Sequence, residues 1–188
     1  MKILVTGANG YLGRGIVKCL TKFGHEVIAT DFKIQEKDER VNIKECNLFE
    51  IENPYEYFDK PDVLLHLAWR DGFVHNSDAH ILDLPKHYNF IKNMCENGTK
   101  QVAVMGSMHE IGFYEGCIKE ETPCNPMSLY GISKNALRNL VQQITAQNNV
   151  ICQWLRGYYI VGNSTHGSSI FSKIAASELE GKKEFPFT

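Results

Sequence analysis

The stretch that most constrains this chain is its start, where the apolar run Ile3-Leu4-Val5 feeds directly into Thr6-Gly7-Ala8-Asn9-Gly10-Tyr11-Leu12-Gly13. A glycine every third residue behind a strand has a specific use. The one at 7 permits a tight turn, the one at 10 lets backbone approach a pyrophosphate, and the one at 13 allows a helix to press against the strand. The helical segment that follows, Tyr11 to Phe23, then aims its free N–H groups and its dipole at the phosphates. A second short strand, Glu26 to Thr30, ends at Asp31, an acidic residue about 20 residues beyond the glycines, where it can bind ribose hydroxyls. Glycine-rich turns are common in α/β proteins, but strand, turn, helix, strand and acid in this order point to a dinucleotide cradle.

The 188 residues, 43% hydrophobic with a formal net charge of −2, suit one domain with a sizeable core. Lysine and arginine are dispersed rather than striped, which argues against nucleic acid as a main partner. No apolar run approaches the roughly 18 residues of a membrane span. Met1-Lys2-Ile3 leads straight into a strand with no secretory segment, so a cytoplasmic protein is expected. Cysteines 19, 46, 95, 117, 124 and 152 form no Cys-x-x-Cys pair and are expected to be free thiols. The sequons at Asn97 and Asn163 are read as chance matches.

Strand-like segments at Lys2–Thr6, Val27–Thr30, Val41–Cys46, Val63–Leu67, Val102–Met105 and Ile151–Arg156 alternate with helical patterns. The longest helices are expected at 78–97, with Ile81, Leu84, Tyr88, Ile91 and Cys95 at helical spacing, and at 129–148. Such alternation predicts an α/β fold of Rossmann type: a doubly wound parallel sheet between two layers of helices, with right-handed crossovers. Loops at 72–78 and 112–126 leave the carboxyl ends of strands, the edge where open α/β sheets bind ligands.

Tyr130-Gly131-Ile132-Ser133-Lys134 places a phenol and an ammonium four residues apart, on one helix face. A cation beside a phenol favours the phenolate, so Lys134 is expected to pull the Tyr130 pKa down from about 10 and make it a proton donor and acceptor at a sugar hydroxyl or ketone. Ser107, just past the fifth strand, supplies a hydroxyl to orient the reacting oxygen.

In order along the chain, the Thr-Gly-x-x-Gly-x-x-Gly stretch, Asp31, Asn47-Leu48, His66-Leu67-Ala68, Ser107, Tyr-x-x-x-Lys and the segment Leu155 to Gly162 resemble the extended short-chain dehydrogenase/reductases, within them the NAD-dependent nucleotide-sugar epimerases and dehydratases. The resemblance runs from residue 1 to about 165. It implies that Gly7, Gly10 and Gly13 with Asn9, Tyr11 and Leu12 hold the pyrophosphate. Asp31 would bind the adenosine ribose, Asn47 and Leu48 would lie by the adenine, and Leu67 and Ala68 would line the cofactor. Tyr130 would transfer the proton, Lys134 would bind the nicotinamide ribose, and Ser107 would contact the reacting sugar hydroxyl. The implied cofactor is NAD, since Asp31 would repel a 2′-phosphate, although Arg14 and Lys33 are basic neighbours that would accept one. The implied partners are a nucleotide-sugar substrate and a second copy of the chain, docked through the helices at 78–97 and 129–148.

The sequence departs from the family pattern in places. Trp69 and Arg70 follow His-Leu-Ala where a small residue is usual, and Ile111 replaces the usual tyrosine before Gly112. Met108 and His109 stand where 4,6-dehydratases carry an Asp-Glu pair, which disfavours dehydration and leaves a 4-epimerase or 4-ketoreductase. His109 offers an extra acid or base because imidazole titrates near neutrality, but an ordinary polar role in the loop is the preferred reading, and Glu110 is likewise read as structural. His75, His80 and His66 carry no matching carboxylate pattern, and no metal is expected. Residues 1–165 are expected to form the NAD-binding domain and 166–188 the start of an incomplete substrate-binding part, with Ser168–Gly181 helical and Lys182–Thr188 opening a strand. Because members of this family run well above 188 residues, the chain alone is expected to be weakly active or inactive. The alternative readings are an NAD-binding module without chemistry and an oligomerisation module.

Overall fold

A computed structural model describes residues 1–35, 38–160, 170–182 and 184–185. It contains β1 (Lys2–Thr6), α1 (Tyr11–Lys22), β2 (Glu26–Asp31), β3 (Val41–Glu45), a 3-10 turn at Leu48–Glu50, α2 (Pro54–Tyr57), β4 (Val63–His66), α3 (Ala79–Asn97), β5 (Gln101–Ser107), a second 3-10 turn at Met108–Glu110, α4 (Leu129–Gln147), β6 (Ile151–Gly157) and α5 (Ile170–Leu179). The six strands form one sheet in the order β3-β2-β1-β4-β5-β6, with parallel pairing at β3–β2, β2–β1, β1–β4 and β4–β5. The order reverses between β1 and β4, which is the switch point where a doubly wound sheet opens its ligand crevice. The Rossmann-type α/β fold expected from the alternation is therefore present, with strand ends agreeing to within one or two residues.

Two layers follow from strand parity. Ile3, Val5, Val27, Ala29, Val41 and Val63 turn to one side of the sheet, where Val17 and Leu20 of α1 pack on them. Leu4, Ile28, Leu64, Val102 and Val104 turn to the other and meet Phe90, Ile91 and Met94 of α3 and Leu137, Val141 and Ile144 of α4. Residues 6 and 66 share the parity of Leu4 and Leu64, so Thr6 and His66 are carried into that second layer and are buried there.

In α3 the buried stripe differs from the apolar spacing in the sequence. Ile81 is exposed, while Ala79, His80, Asp83, His87, Phe90, Ile91, Met94 and Cys95 are buried. The polar members tolerate burial because each has a partner: Asp83 pairs with Arg70 and with Lys86 at 2.8 Å, and the histidines enter the network described below. A hydrophobicity pattern carries no information about such compensation.

The chain divides into two compact units, Met1–Arg156 and Gly157–Thr188. The expected boundary at 165/166 lies outside the described residues, as does Asn163. In the second unit α5 lies within the expected 168–181 and ends at Leu179, residues 168–169 lie outside the described residues, and so does most of the expected strand at 182–188. No described helix is long and apolar enough to cross a membrane. All six cysteines are free, and burial pushes the Cys95 thiol up to about 12.

Candidate active site

Gly7 lies at φ +68°, and a Cβ there would sit 2.7 Å from the Ala68 nitrogen, so the turn after β1 presses against the segment leaving β4. At Gly13 a Cβ would run into the Gly7 carbonyl and the Ala8 backbone, which is how α1 comes so close to the strand. Gly10 caps α1 without a side chain, and no acidic residue occupies the first turn. The N–H groups there are left for an anion. Both Asp31 oxygens accept backbone N–H bonds, Oδ2 from Asn9 at 3.0 Å and Oδ1 from Phe32 at 2.8 Å, which fixes the carboxylate against the cradle. Arg14 Nε donates to the Asn9 carbonyl at 2.8 Å, and Lys33 is exposed. Asn47 caps the 3-10 turn through Phe49 N–H, Leu48 beside it is buried, and Tyr11 is exposed with Leu12 half-buried at the start of α1. Leu67 and Ala68 are half-buried at the switch point. A cavity of about 500 Å³ opens beside the cradle between Ala8, Asn9 and Arg14 on one side and Ile34, Arg40 and Ile43 on the other. These residues fit a dinucleotide: a Cβ-free cradle, uncapped helix N–H groups and a fixed acid at the second strand.

The second set of expected residues meets the first through Trp69. Lys134 Nζ lies over the Trp69 ring, 3.9 Å from its centroid, and donates to the Met105 carbonyl at 2.7 Å. Tyr130 stands one helical turn away, with Lys134 Nζ 6.0 Å from its ring centroid, and the Ser107 side chain acts to lower the phenol pKa. Ser107 Oγ also accepts from His109 N–H at 3.3 Å, and Ser107 N–H donates to Glu110 Oε1 at 2.6 Å, a capping box that holds the serine at the end of β5. Glu110 is fully buried and is met by Trp154 Nε1 at 2.9 Å and by Arg156 at 3.1 Å, which compensates its charge.

The electrostatics correct one expectation. Lys134 does not lower the Tyr130 pKa in this structure. Burial raises the phenol, the Ser107 side chain offsets part of this, and the Glu110 charge raises it further. Lys134 is itself brought down to about 7 by burial, against the raising influence of Glu110, so near neutral pH it is only partly charged. Sequence spacing places the pair on one face but carries no measure of desolvation.

Histidines missed in the sequence as a group surround these residues. Thr6 Oγ1 and His66 Nδ1 are 2.9 Å apart, His66 Nε2 and His87 Nδ1 2.8 Å, and His87 stacks on Trp69 with centroids 4.4 Å apart. Trp69 Nε1 donates to His80 Nδ1 at 3.0 Å, leaving His80 Nε2–H for the Val74 carbonyl at 3.0 Å. Trp69, the departure after His-Leu-Ala, thus walls the crevice with an aromatic face, while Arg70 turns away to Asp83.

Burial holds the His66 pKa well below its ordinary value and takes His87 to about 3. As pH falls from 6.5 toward 3, the unfolded chain binds protons that the folded chain refuses. Stability is therefore full above 6.5 and lost through that window, at about 1.4 kcal/mol per pH unit for each histidine. Urea denaturation at pH 7 and pH 5 is expected to show this, with a shallower dependence in His87→Phe. Equal slopes in the two proteins would refute it.

Residues 3–188 match the NAD dependent epimerase/dehydratase family. The chain belongs to that family. Among curated relatives it is 40% identical to the dTDP-6-deoxy-L-talose 4-dehydrogenase (NAD(+)) of Aggregatibacter actinomycetemcomitans, over 99% of this chain and 71% of that protein. Among solved structures it is similar to the UDP-glucose 4-epimerase of Thermotoga maritima bound to UDP-glucose, with TM-score 0.81 and 20% identity over 100% of this chain. It is also similar to the Bordetella bronchiseptica enzyme WbmG bound to NAD, with TM-score 0.77 and 22% identity over 98% of this chain. This member of the epimerase/dehydratase family spans 66% and 61% of the lengths of those two structures. The correspondence at such low identity shows that the fold is shared.

Proposed function

We propose that this chain supplies the NAD-binding and proton-transfer part of an oxidoreductase acting on a nucleotide-linked sugar. The reacting group is the C4 carbinol or ketone, in the manner of a 4-dehydrogenase, 4-ketoreductase or 4-epimerase. The observation that carries this reading is the convergence of Ser107, Tyr130 and Lys134 with the glycine cradle through Trp69 and Ala68. The 40%-identical relative, a 4-dehydrogenase by name, supports the choice of carbon and of NAD.

Gly7, Gly10 and Gly13 with Asn9, Tyr11 and Leu12 seat the pyrophosphate, Asp31 takes the adenosine ribose, and Asn47, Leu48, Leu67 and Ala68 line the rest of the cofactor. Bound NAD+ supplies a hydride acceptor next to the sugar carbon. Ser107 orients the sugar oxygen and Tyr130 exchanges its proton. In the free site the phenol is held protonated, which suits donation to a ketone. For oxidation the positive charge of the bound cofactor would favour the phenolate. Lys134 additionally offers N–H donors to the nicotinamide ribose.

The partner we propose on the protein side is a second copy of the chain, docked on α3 and α4, which pack together and expose Ile81, Leu82, Ile132 and Leu140. Free thiols suit a reducing, cytoplasmic setting. Incubation with NAD+ and dTDP-6-deoxy-L-talose is expected to produce NADH absorbance only slowly, as suits a chain proposed to be weakly active by itself, from a species that sediments as a dimer of 21.4 kDa chains. NAD+ binding without NADH from any 4-hydroxy nucleotide sugar would favour a non-catalytic NAD-binding module, and sedimentation as a monomer would remove the dimer.

A further inference from the structure

The Tyr130 ring is enclosed by His75, His80 and His109, at centroid distances of 5.8, 5.2 and 5.5 Å, and His75 lies 4.2 Å from His109. These side chains differ in what their ring nitrogens do. His66 and His80 spend both nitrogens on hydrogen bonds, and His87 spends one on His66. Neither His75 nor His109 has a ring hydrogen bond among the described residues, and both are only half-buried. Their positions are nonetheless set by backbone. The His75 carbonyl accepts Tyr130 N–H at 2.9 Å, Asn76 Oδ1 accepts Leu129 N–H at 3.2 Å, and His109 N–H donates to Ser107 Oγ. Three separate segments are thus tied together so that two half-buried imidazoles, without ring hydrogen bonds among the described residues, pack on the Tyr130 ring.

We propose that His109, backed by His75, passes the proton between Tyr130 and solvent, which fits this site for net oxidation or reduction of a sugar carbinol rather than for epimerisation. The inference rests on the oxidoreductase reading above. Oxidation of the carbinol breaks its C–H bond, whose electron pair leaves as hydride to NAD+, and its O–H bond, whose proton goes to the Tyr130 phenolate. That proton has to reach bulk water once per turnover. An epimerase returns it to the sugar oxygen and needs no outlet. Imidazole is suited to the outlet because it gains and loses a proton near neutral pH. Burial and the neighbouring His75 hold the His109 pKa below its ordinary value, so a proton received from Tyr130 is readily shed. The other titratable groups around Tyr130 are His80, whose nitrogens are occupied, Lys134 and the buried Glu110.

The test compares the NAD+-loaded chain with His109→Gln and His75→Gln in stopped flow, using dTDP-6-deoxy-L-talose and following NADH absorbance and a pH indicator together. In the parent chain, proton release is expected to keep pace with NADH. In His109→Gln the first-turnover NADH burst is retained, steady turnover falls about 10-fold or more, and added imidazole restores it. His75→Gln loses less. Unchanged turnover and solvent isotope effect in His109→Gln, or a loss that imidazole does not restore, overturns the relay. If the parent chain forms no NADH, the dehydrogenase reading fails separately. The relay is then judged by the His109 proton resonance in the NAD+-loaded chain. Its titration midpoint is expected to move in Tyr130→Phe; an unmoved His109 midpoint overturns the relay.

Discussion

Tyr130→Phe is expected to lower the rate of hydride transfer by about 10²- to 10⁴-fold, the span associated with losing a positioned acid or base, while leaving NAD+ affinity nearly unchanged. The substitution removes one oxygen. The ring remains among Trp69, His75, His80 and His109, so packing of the α4 N-terminus is preserved. The loss should appear in kcat more than in KM, because the phenol acts on a proton in flight rather than on the resting substrate. Single-turnover NADH formation measures it. Lys134→Met should act chiefly on NAD+ binding, since the lysine is proposed to contact the cofactor ribose. A Tyr130→Phe protein that transfers hydride at the parent rate would remove Tyr130 from the chemistry.

The second large effect is expected at Gly13. Replacement by valine puts a branched side chain where even a Cβ meets the Gly7 carbonyl and the Ala8 backbone, so α1 has to back away from the turn after β1. The N–H groups at its first turn then lose the pyrophosphate. Charge-assisted bonds of this kind are worth about 1.5–3 kcal/mol each, so losing two of them costs about 3–6 kcal/mol, or ~10²- to 10⁴-fold in NAD+ affinity. Calorimetric titration with NAD+ measures this directly. Gly15→Ala is the matched control: it lies on the same helix, a Cβ there meets nothing within 4 Å, and the change is expected to stabilise the helix by about 0.5–1 kcal/mol with NAD+ affinity retained. If Gly13→Val binds NAD+ as Gly15→Ala does, the cradle does not hold the pyrophosphate.

The dehydratase pair missing from residues 108 and 109 has a structural counterpart. Met108 and His109 open a 3-10 turn whose backbone holds Ser107, and the carboxylate of the segment, Glu110, faces inward to Trp154 and Arg156. The acid next to the site therefore serves position and field rather than proton transfer to the sugar.

What the chain determined by itself was whatever depends on neighbours in sequence: β1 and its glycine turn, α1, the acid ending β2, and the helix presenting Tyr130 and Lys134 on one face. Hydrophobic period and turn chemistry act over a few residues, and they read the same in or out of the fold. Tertiary structure alone decided three things. Parallel crossovers brought residues 69, 75, 80 and 109 around the Tyr130 ring although they come from separate segments of the chain. Compensating partners allowed His80, Asp83 and His87 to be buried where the α3 pattern pointed to Ile81. The charge states of Lys134 and Tyr130 also moved against the expectation from their spacing. All three have one physical reason: the energy of a polar or ionisable group depends on how much water it loses and which partners replace that water, and both are set by residues far away along the chain.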